Sequence, residues 1–289
     1  MSIHQHITLL LLLFSLFACG QKKQKTGETN EQENLPNYSL HKPEVFTMPG
    51  ELEEISGIAF LNGNADTVFA EQDEEGKLFR FALGSEKLIE TKFGKKGDYE
   101  DVQVSNGYVI MLRSDGVLFT FPLSQINQEK AGDVKEFSEV LPDGEYEGLY
   151  ADAATGSLYV LCKHCNEKQT ETNTGYVLQL TKNGDIKPDT TFTIDVKEIA
   201  AKAGVKKLLF EPSALAKNRA TNEWFILSSV NKIVIVANSN WSVKNIYRLD
   251  ESLYNQPEGI AFDKDNNLYI SNEKGNTKHA TILKLSYQK

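Results

Sequence analysis

A short acidic motif occurs five times in this chain, each time leading into an apolar, strand-like run. The copies are Glu54-Ile55-Ser56-Gly57-Ile58, Asp98-Tyr99-Glu100-Asp101-Val102, Glu145-Tyr146-Glu147-Gly148-Leu149, Glu211-Pro212-Ser213-Ala214-Leu215 and Gln256-Pro257-Glu258-Gly259-Ile260. Aligned on their last residue, successive copies are 44, 47, 66 and 45 residues apart. If the copies converge, they would offer only oxygen ligands, and such a set favours Ca²⁺, which takes about six to eight of them.

The spacing of the motif is typical of a β-propeller, whose blades repeat every 40 to 50 residues or so. The first four copies are each followed by three more strand-like runs separated by turn residues. The longer 66-residue step holds two insertions, a polar loop at 166–174 and a segment at 196–207 whose apolar spacing predicts a short helix. We therefore predict an all-β, five-bladed β-propeller; the alternative is a six-bladed ring with a further unit within residues 150–210.

The fifth unit is one strand short before the chain stops. The segment 38–48 precedes the first motif and has no other predicted partner. Pairing it into the last blade would close the ring and leave no long free sheet edge.

Propeller geometry predicts where the motifs lie. The connection into each inner strand and the connection between the second and third strands emerge on one face, around the mouth of the central channel. Residues of the first kind are Glu54, Glu100, Glu147, Glu211 and Glu258, and those of the second kind are Glu71, Asp73, Arg113, Lys163, Asn272 and Glu273. Carboxylates converging there should raise one another's pKa unless cations or hydrogen bonds compensate.

A structural role for the motif is the open alternative. A Glu or Ser at this position can accept backbone N–H bonds from the neighbouring blade, and such contacts would repeat once per blade with or without a ligand. A second acidic run, 263–267, has Leu268 where an EF-hand loop needs Gly, so we interpret it as a hairpin turn.

The N-terminus predicts export and lipid attachment. The apolar run within residues 1–18 is too short to span a bilayer and ends at Ala18-Cys19-Gly20, which suits a lipoprotein signal peptide with an acylated Cys19. An ordinary secretory signal with a chance cysteine is the alternative. Residues 19–37 have the composition of a flexible tether, and residues 38–289 form the propeller domain.

The charge of the chain limits its partners. The formal net charge is −9, all of it on residues 38–289, which argues against nucleic acid and against electrostatic binding to anionic lipid. We expect a monomer in the cell envelope that is held to the membrane by its lipid and faces the periplasm or the cell surface. Its partner would be an unidentified ligand or an envelope protein.

Cysteines and histidines give little sign of catalysis. Cys162 and Cys165 have no second pair for zinc and no haem-type histidine after them, so a disulfide or two unreactive thiols is the preferred interpretation. None of the five histidines lies in a motif, and we predict no catalytic residues.

The motifs resemble those of the SdiA-regulated family of exported bacterial β-propellers. The resemblance spans about residues 50–289 and rests on ordered matches at Ser56-Gly57, Glu100-Asp101, Glu147-Gly148, Ser213-Ala214, Glu258-Gly259, Leu227-Ser228 and 268–273. Where the family usually has a Glu before Arg113 and before Lys163, this chain has Leu112 and Cys162. A site built on those two carboxylates would be incomplete here.

Two functions remain open. The first is a non-enzymatic propeller that binds a ligand or partner at the channel mouth, with Ca²⁺ as the expected cofactor. The second is a Ca²⁺-dependent hydrolase of the phosphoesterase or lactonase type, because related propellers place a Lewis-acidic Ca²⁺ at this position. We favour binding, since the motifs supply carboxylates but no histidine.

Overall fold

The computed structural model describes residues 35–165 and 170–289. Within them lie five four-stranded antiparallel sheets, each of which is one blade. The predicted five-bladed β-propeller is therefore confirmed, and the six-bladed alternative is wrong.

The strands follow one another around the ring in chain order. They are β1 (Glu44–Thr47), β2 (Ile55–Ala59), β3 (Val68–Gln72), β4 (Lys77–Phe81), β5 (Ile89–Lys92), β6 (Tyr99–Ser105), β7 (Tyr108–Arg113), β8 (Leu118–Pro122), β9 (Lys135–Phe137), β10 (Gly144–Asp152), β11 (Ser157–Cys165), β12 (Thr172–Leu180), β13 (Ile186–Asp195), β14 (Ala214–Asn218), β15 (Glu223–Ser228), β16 (Ile233–Ala237), β17 (Val243–Arg248), β18 (Pro257–Phe262), β19 (Leu268–Asn272) and β20 (Thr281–Leu285). The inner strands β2, β6, β10, β14 and β18 each open a blade at a motif.

The last blade is completed by the N-terminal strand, as expected. Its sheet order is β1-β20-β19-β18, and β1 runs antiparallel to β20 with Glu44 opposite Lys284. The strand is shorter than the segment 38–48 proposed for it, because residues before Glu44 form turns. This pairing places the two ends of the domain in one sheet and closes the ring, with β1 as the outer strand of the last blade.

The insertions in the third unit are only partly as predicted. Helix α1 (Val196–Lys202) forms as expected, and Asp195 caps it by accepting hydrogen bonds from the amides of Lys197 and Glu198 at 2.8 and 3.3 Å. The expected loop at 166–174 is shorter, because β12 already begins at Thr172. The third blade thus carries a hairpin of long strands that extends it at the motif end.

The core is divided among the five contacts between adjacent blades. Each of five clusters of buried apolar side chains draws on two neighbouring blades. Aromatic pairs bridge some of these contacts edge to face, for example Phe60 with Tyr269 at 4.7 Å and Tyr150 with Trp224 at 5.3 Å. Burial between blades is thus what holds the ring together.

The motif glycines lie where inner strands approach each other most closely. A Cβ on Gly57 would come within 2.6 Å of the Asp101 Cα and 2.7 Å of the Val102 nitrogen in the next blade. A Cβ on Gly259 would collide with the Ser56 carbonyl oxygen of the first blade. The glycine of the motif therefore has a packing cause that is independent of any ligand.

The predicted signal peptide, the acylated Cys19 and most of the tether lie outside the described residues. Within 35–165 and 170–289, no helix is both long enough and apolar enough to cross a membrane.

Candidate functional site

The channel mouth is built by motif segments that alternate with the ends of second strands. The amide of Asp73 donates to the Glu54 carbonyl at 3.3 Å, and the amide of Tyr99 in the next blade donates to the Asp73 carbonyl at 2.8 Å. Similar bonds join Glu273 to Gln256 and Lys274 to Glu53. Both kinds of segment thus lie on one face, as the propeller geometry predicted.

Three carboxylates meet on one side of this mouth. Ligand oxygens of Glu54, Asp73 and Glu273 all lie within 4.8 Å of one another. The Oδ1 atom of Asp73 is buried and has no hydrogen-bond partner. Such an arrangement is unfavourable for three charged carboxylates alone and suits a hard cation that accepts oxygen ligands.

Burial changes the protonation of this group. Desolvation, reinforced by the negative charges of Glu54 and Glu74, raises the pKa of Asp73 to about 6. Desolvation also raises the pKa of Glu273 to about 8, with Glu258 and Asp73 adding to the effect. Protons therefore compete with a cation for these oxygens near neutral pH.

A second group of carboxylates comes from the motifs of blades two, three and five. Desolvation raises the pKa of Glu100 to about 10 and that of Glu147 to about 8, and like charge from Glu147 and Glu258 respectively adds to the shift. The pKa of Glu258 is also raised by burial, against hydrogen bonding from Ser229. The charge of Glu258 helps to raise the pKa of both Glu147 and Glu273. The two clusters of carboxylates are therefore close enough to form one acidic mouth.

Lys163 is one of the cations within this acidic mouth. Its ammonium forms an ion pair with Glu147 and lies 3.6 Å from Glu145. Burial alone would lower the pKa of Lys163, but Glu147 outweighs it and the pKa is raised. Lys163, together with Lys232, which acts on Glu258, offsets part of the negative charge, and carboxyl groups remain in excess for a further cation.

Two of the predicted site residues lie deeper than the mouth. Glu71 is fully buried and accepts a hydrogen bond from the Gly57 amide at 2.6 Å through Oε1, while its Oε2 has no partner. Asn272 is 2% exposed, and its Oδ1 is likewise without a partner. Burial raises the pKa of Glu71 well above its ordinary value.

A histidine that the sequence did not indicate lies at the edge of the site. His164 Nδ1 is 2.7 Å from Glu145 and its Nε2 is 3.2 Å from Glu211. Burial lowers the pKa of His164, but the bonds to the two carboxylates outweigh this and raise it. Its place at the end of β11, next to Lys163, was the available signal, because that strand end faces the motif of its own blade.

The segment that carries these two cations is fixed by a disulfide. Cys162 and Cys165 are joined, with Cα atoms 6.1 Å apart, and the side-chain amide of Asn173 donates to the Cys162 carbonyl at 2.7 Å. Lys163 and His164 lie between the two cysteines. The bridge thus holds the strand end that presents both side chains to the motif carboxylates.

Side chains also pin blades by hydrogen bonds to the backbone of the neighbouring blade, and these bonds come from residues other than the motif glutamates. Asp101 accepts the amides of Val102 and of Leu149 in the next blade, both at 2.7 Å. Ser213 donates to the Pro257 carbonyl at 3.1 Å, and Ser271 donates to the Ser56 carbonyl at 2.6 Å. In three of the five junctions, then, a side chain other than a motif glutamate makes the pin.

Not every residue expected at the mouth takes part. Arg113 pairs with Asp115 in its own turn, at 2.8 Å, and lies over the Phe119 ring. Blade four offers Ser213 where three other blades offer a glutamate, and its Glu211 binds His164 instead. The acidic mouth is therefore one-sided.

Comparison with known protein families identifies the family of the chain. A profile of the SdiA-regulated family matches residues 31–276. The chain belongs to the SdiA-regulated family. No functionally curated protein matches this member of the SdiA-regulated family in sequence.

Solved structures share its fold at low sequence identity. A luciferin-regenerating enzyme covers 85% of this chain and 95% of its own length, with a TM-score of 0.55 and 10% identity. A glutaminyl cyclase from Myxococcus xanthus covers 85% and 94%, with a TM-score of 0.56 and 12% identity. A PQQ-bound aldose sugar dehydrogenase from Streptomyces coelicolor covers 85% and 98%, with a TM-score of 0.50 and 11% identity. These likenesses concern the propeller fold alone.

Proposed function

We propose that this protein is an exported, lipid-anchored β-propeller that binds a ligand or partner at its acidic mouth with the help of Ca²⁺. The observation that carries the proposal is the meeting of Glu54, Asp73 and Glu273 within 4.8 Å, with one buried Asp73 oxygen left unpartnered. Bound Ca²⁺ would supply a positive centre at the mouth, to which an anionic or oxygen-rich group could coordinate.

The residues of the mouth would have different roles in this binding. Glu54, Asp73 and Glu273 would hold the cation, and the partially exposed Glu54 side of the group leaves an approach from solvent. Lys163, held by Glu147, would keep the neighbouring carboxylates from repelling one another. Glu71 and Asn272, buried beneath, would orient the loop rather than meet the ligand.

Calorimetric titration of the chelated protein with Ca²⁺ tests the proposal. Wild-type protein should bind Ca²⁺, and Asp73→Asn should weaken binding at least tenfold, because it removes a charged ligand of the cluster. Asp66→Asn, an acid in an exposed turn, is the matched control and should bind like wild type. If Ca²⁺ produced no heat of binding with wild type and left its melting temperature unchanged, the proposed Ca²⁺ site would be refuted.

A double variant separates binding from architecture. Glu147→Gln and Glu258→Gln together remove two motif carboxyl groups, and with them the negative charge that they acquire when a bound cation displaces their protons, so binding at the mouth should weaken while the far-ultraviolet circular dichroism spectrum stays that of a folded propeller. Loss of the fold would instead assign the motif glutamates to blade pinning.

A hydrolase is the second candidate, and one observation favours it. His164 is held between Glu145 and Glu211, and the neighbouring residue Lys163 pairs with Glu147, a carboxyl group whose pKa is raised to about 8. A group of that pKa can exchange a proton near neutrality. The Ca²⁺-loaded protein should then cleave one of a panel of phosphoester, lactone and aryl-ester substrates, with the activity lost in His164→Gln; an inactive panel leaves binding as the function.

The envelope location rests on the N-terminal sequence. Acylation at Cys19 would anchor the domain through residues 20–37. In cells expressing the full chain, wild type should sediment with membranes and Cys19→Ser should not. Equal distribution of the two would exclude the lipid anchor.

A further inference from the structure

The central channel has a second, separate cavity at the end opposite the acidic mouth. All five inner strands line it, at positions that follow the motifs rather than precede them, for example Ala59, Gln103, Ala151, Ala216 and Ala261. The cavity has a volume of about 240 Å³. Four of these five positions hold alanine, so small side chains leave the space open.

The charges at this cavity have the opposite sign to those of the acidic mouth. Lys217, Arg219 and Lys264 line it, and Asp263 is the carboxylate that lines it with them. Within the described part of the chain, none of the three cations forms an ion pair with a carboxylate. A cluster of uncompensated cations is notable in a chain whose net charge is −9.

The carboxylate of Asp263 is already occupied by its own turn. Its Oδ1 accepts from the amides of Asp265 and Asn267 at 2.9 and 2.8 Å, and its Oδ2 accepts from the Asn267 side chain at 2.8 Å and the Tyr269 hydroxyl at 3.0 Å. The negative charge of nearby Asp152 helps to raise the pKa of Tyr150, and the Asp152 carboxylate likewise accepts a hydrogen bond, from the Ala154 amide. Cations thus outnumber carboxylates here, and both carboxylates are engaged locally.

Two of the cations at the cavity lie near aromatic side chains. The Lys217 ammonium lies 5.2 Å from the centre of the Trp224 ring. The positive charge of Arg219 opposes the rise that burial causes in the pKa of Tyr150, so its guanidinium lies near that hydroxyl. Around them the walls are apolar, with Ile58, Phe60 and Phe262 among the lining residues. The cavity therefore combines positive charge with apolar surface, which is the usual composition of a small-molecule site.

We propose that this cavity binds a small organic anion, a carboxylate or phosphate monoester carried on an apolar body of about ten non-hydrogen atoms, which is the size that 240 Å³ admits. Arg219 and Lys217 recognise the anionic group, since a guanidinium and an ammonium both donate charge-assisted hydrogen bonds to carboxylate and phosphate. The apolar walls take the rest of the ligand. The site is independent of the Ca²⁺ proposal, because it shares no residue with the acidic mouth.

Calorimetric titration with four small phenyl compounds that differ in their polar group tests the proposal. Benzoate and phenyl phosphate should bind, and the stronger of the two identifies the anionic group, whereas benzyl alcohol and benzylamine should bind at least tenfold more weakly. Arg219→Gln should weaken binding of the better anion at least tenfold. Arg248→Gln, which removes an exposed arginine on β17, is the matched control and should leave the affinity unchanged.

Two further variants keep the outcome interpretable. Lys217→Gln repeats the test should Arg219→Gln fail to fold, and Asp73→Asn, which affects only the acidic mouth, should leave anion binding unchanged. Wild-type protein that binds neither anion would overturn the proposal. So would equal affinity for benzylamine, or an affinity for the anion that is unaltered in both cavity variants.

Discussion

The acidic mouth should make the Ca²⁺-free protein less stable as the pH rises from 5 to 8. Glu147 and Glu273 have a pKa of about 8 in the folded protein, against an ordinary 4.5. Between these values the folded chain keeps protons that the unfolded chain releases. Over this range, each such carboxyl therefore lowers the free energy of unfolding by about 1.4 kcal/mol for every unit by which the pH rises. The stabilisation that its bound proton provides is fully present below pH 4.5 and is lost as the pH passes through 8.

Other groups do not reverse this sign. Asp73, with a pKa of about 6, adds the same trend up to that pH, and His164, whose pKa is raised, also loses stabilisation as it deprotonates. Asp115 and Glu145 have lowered pKa values and act only below their ordinary range. Glu100, with a pKa of about 10, adds the same trend throughout this range. The combined slope should therefore be about 2 to 4 kcal/mol per pH unit, allowing for coupling among the carboxyls.

Urea unfolding at half-unit pH steps in the presence of a chelator measures this slope. The double variant Glu147→Gln and Glu273→Gln should flatten it, since neither amide titrates. Ca²⁺ at a hundred times its dissociation constant should restore about 2.7 kcal/mol, most visibly above pH 7 where protons compete least. A free energy of unfolding that is constant or rises from pH 5 to 8 would refute the account of buried, protonated carboxyls.

Further predictions concern the contacts between blades. Gly57→Ala should cost about 3 kcal/mol or more, because the new Cβ meets backbone atoms of Asp101 and Val102; Gly50→Ala, with no atom within 4 Å of the new Cβ, should change stability by about 0.5 kcal/mol at most. Asp101→Ala should cost about 2 to 6 kcal/mol, since it strands the amides of Val102 and Leu149, and Asp66→Ala is its exposed control. Urea unfolding measures both pairs, and equal losses in a variant and its control would contradict the packing and pinning roles assigned here.

The fold was predictable because the acidic motif recurs in the sequence once for each blade. The motif spacing fixes the number of inner strands, and the unpaired segment before Glu54 has one obvious place, beside β20. The extent of the hairpin after Cys165 was less accessible, because polar residues such as Thr172 and Asn173 extend a strand only through pairing with β13. The amino-acid composition of the segment does not show which strand it pairs with.

The candidate site was predictable in place but not in detail. Convergence of the motif carboxylates follows from topology, whereas the choice between Glu54, Asp73 and Glu273 as one group and Glu100, Glu147 and Glu258 as another depends on side-chain direction. His164 was missed because its role requires β11 to continue to Cys165 beside Glu145. The pins at Asp101 and Ser213 are likewise three-dimensional contacts between blades.

The most direct test of a cation site at the acidic mouth is a crystal structure of the full propeller grown with Ca²⁺ above pH 7.5. We expect a single density peak, with oxygens of Glu54, Asp73 and Glu273 at about 2.3 to 2.6 Å from it. A mouth that holds only water at those positions, with the three carboxylates turned apart, would contradict it.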